Sequence, residues 1–65
     1  MSNLPIHHHA PPIVAVFADE DVALDAIAAT RATFVTSPAP GVVLLRPHAG
    51  LRERLYAAGA ALVVA

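Results

Sequence analysis

Four short segments of this 65-residue chain read as strands, at 13–18, 33–37, 42–46 and 61–65. Three of them, 13–18, 42–46 and 61–65, are apolar on both faces. A strand with one wet face alternates polar and apolar residues, whereas an unbroken apolar run marks a strand to be covered on both sides. Helical patterns follow only the first and third segments. Two helices can cover one face of a sheet, so the second apolar face requires another partner.

Composition sharpens that constraint. A chain of this length buries only about 60% of the surface its unfolded form exposes, so small scaffolds commonly add disulfides, a metal or oligomerisation. Cysteine is absent, which removes disulfides, thiolate metal ligands and thiol catalysis together. Hydrophobic residues make up 57% of the chain and charged residues 14%, against about 25% charged in ordinary domains. That balance argues against disorder and for more apolar surface than one copy can hide. Net charge is −1, from four arginines, no lysine and five acidic residues. A nucleic-acid partner is not expected, because such binders carry a basic patch. The same lack of basic residues disfavours attachment to anionic lipid. No apolar run reaches the roughly 20 residues of a spanning helix, and no basic region opens a signal peptide. The expected location is cytoplasmic.

Residues 1–12 read as an extended arm, with Pro5, the triplet His7, His8 and His9, and Pro11–Pro12. Residues 13–65 form one small domain. After the first strand, Asp19, Glu20 and Asp21 suit a helix start, where carboxylates cap free amides and complement the helix dipole. Val22, Leu24, Ile27 and Ala28 recur at helical spacing, among alanines that allow a thin helix close to a sheet. The segment 33–37 is more polar and suits an edge. Pro38-Ala39-Pro40-Gly41 forces a turn into 42–46, so these two strands pair as an antiparallel hairpin. Leu51, Leu55 and Ala58 make one apolar helical stripe, and Gly59 stands where a left-handed cap is expected.

The order β-α-β-β-α-β resembles the ferredoxin-like arrangement: α+β, a four-stranded antiparallel sheet with two helices on one face. Right-handed crossovers place the first and third strands in the centre and the others at the edges. The last strand carries neither charge nor proline, the usual protection of an edge, so that edge or the face beside it is expected to be covered.

Chemistry-bearing clusters are few. His7, His8 and His9 could ligate Zn²⁺, Ni²⁺ or Cu²⁺ through imidazole nitrogens, although neighbours on an extended chain cannot all converge on one ion. Asp19, Glu20, Asp21 and Asp25 lack calcium-loop spacing, and capping accounts for the first three. Arg46, His48 and Arg52, around the second helix start, could receive an anion. No nucleophile–base arrangement is recognisable, so no catalytic residue and no cofactor is expected.

The layout is similar to regulatory modules of the ACT type. That resemblance implies a small ligand, an amino acid or anion, held between subunits, but Ala18-Asp19-Glu20-Asp21 stands where those modules usually carry a glycine. RNA-recognition domains share the layout yet stack bases on aromatic residues of the central strands, where only Phe17 is found. The expected function is a non-enzymatic assembly module, a homo-oligomer or a subunit of a larger protein complex. Its interface residues are expected among Val14, Val16, Val43, Leu45, Leu62, Val63 and Val64. The alternatives are the ACT-like ligand module and metal binding through the histidine arm.

Overall fold

The computed structural model describes residues 11–64, so His7, His8 and His9 lie outside the described residues. The elements run β1 (Ile13–Val16), α1 (Glu20–Thr30), β2 (Phe34–Ala39), β3 (Val42–Leu45), α2 (Leu51–Ala57) and β4 (Leu62–Val64). The fold is α+β, with one four-stranded sheet in the order β2-β3-β1-β4. Every neighbouring pair is antiparallel. The two central strands are the doubly apolar β1 and β3, and the more polar β2 lies at an edge.

Each strand end has a local cause. The ladder of β1 stops at Val16; the Phe17 amide then donates to the Gly41 carbonyl at 2.8 Å, and the chain turns into α1. Asp19 is in extended conformation there, and its carboxylate accepts from the Val22 amide at 2.9 Å. It is the N-cap, which satisfies one of the helix's unpaired donors. At the other end, Arg31 closes α1 in left-handed conformation, φ 56°.

The hairpin turn is shorter than the Pro/Gly composition suggests. The strand continues through Pro38 to Ala39, and Pro40-Gly41 alone connects the paired residues Ala39 and Val42. An edge strand tolerates proline where its missing amide would face outward. Gly41 has φ +80°, the conformation a type II turn needs after proline. A Cβ there would lie 2.9 Å from the Phe17 carbonyl oxygen, so both backbone angle and space demand glycine. The Ser37 hydroxyl lies 2.8 Å from the Val42 carbonyl and 3.0 Å from that of Ala39, bracing the turn.

One core serves both helices. Ile13, Ala15, Phe17, Val43, Leu45 and Val63 from the sheet join Ala23 and Ala26 of α1 and Leu51 and Leu55 of α2. Both helices therefore lie on the same face. The α1 stripe differs from the expected one: Ala23, Ala26 and Thr30 are buried, while Leu24 is 53% exposed. Positions 23, 26 and 30 fall within a narrow arc of the helix, flanked by the partly buried Val22 and Ile27. Leu24 and Ala28 fall on the far side. Small side chains on the inner arc let the helix backbone approach the sheet. Thr30 is buried but satisfied, its hydroxyl donating to the Ala26 carbonyl at 2.7 Å.

Leu51 and Leu55 are fully buried and Ala58 half-buried, as the stripe on α2 requires. The helix ends in a Schellman arrangement: Ala60 N–H donates to Leu55 O at 2.9 Å and Gly59 N–H to Tyr56 O at 3.1 Å. Gly59 takes φ +111°, the left-handed position expected of it.

Candidate interaction face

The register identifies which side chains lie on the sheet face away from the helices. Val14 pairs with Leu44 and with Val64, and Leu44 pairs with Thr36. Val16 pairs with Val42 and with Leu62, and Val42 pairs with Ala39. Directly opposed residues share a face, so two rows cross the sheet: Thr36, Leu44, Val14, Val64 and Ala39, Val42, Val16, Leu62. Seven of the eight are aliphatic, the eighth is threonine, and none carries a charge.

Exposure follows position within the rows. Val14, Val16, Val42 and Leu44 are half-buried, because neighbouring strands shield their flanks even though no element among the described residues lies above them. At the β4 edge, Leu62 is 51% and Val64 47% exposed. Isolated apolar residues on a surface are ordinary, whereas a contiguous charge-free patch marks an interaction site.

This geometry corrects the expected interface set. Val14, Val16, Leu62 and Val64 lie on the open face; Val43, Leu45 and Val63 do not. Those three point into the core beneath the helices, with Leu45 fully buried. Val42 and Leu44 take their places. A one-residue change of phase transfers a side chain to the opposite face, and in Val42-Val43-Leu44-Leu45 both phases are equally apolar. The signal that separates them is the pairing with β1, which depends on the folded register.

Both sheet edges are guarded. Along β2, Pro38 and two register irregularities, between Phe34 and Thr36 and between Thr36 and Ala39, interrupt the outer ladder. Along β4, the Tyr56 hydroxyl of α2 accepts the Val63 amide at 3.0 Å. The cover expected for this strand thus comes in part from the chain's own second helix.

The polar clusters are less organised. Arg46, His48 and Arg52 are all exposed. Arg46 and His48 lie in the connection between β3 and α2, and Arg52 in the first turn of α2. The Arg46 amide donates to the Thr33 carbonyl at 3.0 Å, and the His48 ring nitrogen Nδ1 lies 3.3 Å from the Ala49 carbonyl. Among the described residues, no hydrogen bond joins these three side chains. Gly50 precedes α2 in left-handed conformation without a side-chain cap. Of the acidic residues, Asp19 caps α1, and no group of three metal-ligating side chains gathers among the described residues. A shallow depression between the helices is lined by Ala29, Thr30, Arg54, Ala57 and Ala58. Its one buried hydroxyl, on Thr30, is already bonded within α1. No helix among the described residues is long and apolar enough to cross a membrane.

The chain matches no family model, no curated protein and no solved structure.

Proposed function

We propose that the chain is a non-enzymatic assembly module of ferredoxin-like layout, which self-associates through its helix-free sheet face. The observation that carries this reading is the pair of charge-free rows spanning all four strands. A partner for such a face must itself be flat, apolar and uncharged, since unpaired charge buried against it is strongly disfavoured. A second copy supplies that surface by construction, and two-fold pairing of identical patches is the commonest form of assembly.

The size of the face sets the strength. Four strands about 4.8 Å apart and two rows about 7 Å apart give a footprint of roughly 250 Å², well below the about 800 Å² per partner of a standard stable interface. The expected association is accordingly weak and concentration-dependent. Burying both copies' faces at about 25 cal/mol per Å² of apolar area gives roughly 12 kcal/mol gross, most of which offsets the about 4–15 kcal/mol cost of association.

The test is solution mass by light scattering and sedimentation, from low micromolar to millimolar protein, on the parent chain and on Leu44→Glu. The parent should pass from monomer to dimer as concentration rises. Leu44→Glu should stay monomeric with an unchanged circular dichroism spectrum. A parent chain that remains a folded monomer throughout, or a Leu44→Glu chain that dimerises equally well, overturns the reading.

A further inference from the structure

The Tyr56–Val63 hydrogen bond has a consequence for how the sheet could be extended. In a β-strand, the amide and carbonyl of one residue point to the same side, and successive residues alternate. Among the described residues, β4 is bonded to β1 on one side only. The Val63 amide donates to the Tyr56 hydroxyl at 3.0 Å, so it points away from β1, out of the sheet edge. It is the central residue of a three-residue strand, and therefore the natural docking point for an added strand. Tyr56 occupies that point, and at 44% exposure its side chain has room to leave it.

We propose that Tyr56 is a latch on a second assembly surface, the β4 edge, and that the strand it excludes is β4 of another copy. With Tyr56 displaced, two β4 strands can pair antiparallel about a two-fold axis at Val63. Each Val63 then exchanges amide and carbonyl with its counterpart, the bonding of a close antiparallel pair. Leu62 of one copy stands opposite Val64 of the other. Both side chains belong to the open face, so the two apolar rows continue across the junction without a charge or a proline. The β2 edge cannot serve in the same way, because Pro38 and its register shifts break the ladder there.

The inference is independent of face-to-face association, and the experiment separates them. Tyr56→Phe is placed in the full chain together with Leu44→Glu, which silences the open face. Tyr56→Leu in the same background serves as a second variant. Retained circular dichroism and amide dispersion establish that each is folded. At low concentration, Val63 amide hydrogen exchange should accelerate roughly fivefold relative to Leu44→Glu alone, the factor that corresponds to losing one typical hydrogen bond. At high concentration the mass should rise to that of a dimer, and the Val63 amide should become protected again. Unchanged Val63 exchange at low concentration shows that Tyr56 does not hold the edge and overturns the proposal. Faster exchange in a chain that stays monomeric at all concentrations overturns it equally, because the freed edge then accepts no strand.

Discussion

The two faces of this sheet are built from nearly the same residues and have opposite fates. Ile13, Ala15, Phe17, Val43, Leu45 and Val63 form the inner face, under the helices. Val14, Val16, Val42, Leu44, Leu62 and Val64 line the outer one, with no element among the described residues above them. By hydropathy alone the outer set could serve as a core. The difference lies in what α1 and α2 bring: Ala23, Ala26, Leu51 and Leu55 seal one side, and among the described residues no further helix is left for the other. An apolar face is therefore not a core until a second layer closes it, and here the closing layer is proposed to be another molecule.

The sharpest way to break this comparison uses two adjacent residues. Leu45 is fully buried on the inner face and Leu44 half-buried on the outer. Leu45→Ala should cost about 2–5 kcal/mol, the range for truncating a buried leucine, a large share of the roughly 3–10 kcal/mol available to a domain of this size. Leu44→Ala should cost about 1 kcal/mol or less in dilute solution. Urea unfolding of both variants at low concentration measures the gap; equal losses would mean that the two faces are equally covered.

A second effect concerns the joint that both faces share. Gly41 ties the hairpin to the end of β1, its carbonyl accepting the Phe17 amide. Gly41→Ala places a Cβ 2.9 Å from the Phe17 carbonyl oxygen at φ +80°. The expected loss is about 2 kcal/mol, combining backbone strain with the shift needed to relieve the clash. Thermal unfolding provides the measurement, and a loss within a few tenths of a kcal/mol would show that the joint is free to relax.

The smallest effect belongs to the covering layer. Asp19→Ala removes the N-cap of α1 and should destabilise by about 1 kcal/mol, without altering association through the outer face. Chemical denaturation alongside light scattering tests both parts. A change in dimerisation at equal stability would mean that α1 takes part in the assembly contact.

Several features of the fold were legible in residues whose local chemistry is decisive. Asp19 before a helical pattern is a cap because a short carboxylate can reach the Val22 amide. Gly59 adopts φ +111° because glycine alone enters that region freely. Leu51, Leu55 and Ala58 share one stripe because the helical period leaves no other choice. The polar 33–37 segment belongs at an edge because a central strand would bury its threonines and serine. Of the residues expected at the interface, Val14, Val16, Leu62 and Val64 lie on the face away from the helices, whereas Val43, Leu45 and Val63 are buried in the core. No local signal distinguishes alternating phases of an all-aliphatic run.

Other features depended on contacts between distant residues. Leu24 is larger and more apolar than Ala23, yet Ala23 faces the sheet, because the helix is seated by its whole arc rather than by its largest side chain. Pro38 stands within a strand because that strand has no outer neighbour among the described residues. Tyr56 guards Val63, seven residues away, only because α2 packs beside β4 and brings the hydroxyl to the edge.

The chain by itself determined the order of its elements, their caps and the excess of apolar surface, since these follow from short-range periodicity, backbone preference and composition. Only the tertiary structure decided which half of each strand became core, how the β4 edge was covered and where the surplus apolar surface came to rest. The physical reason is that a strand's two faces differ only through what packs against them. That choice is made by the register with β1 and by the seating of both helices on one side.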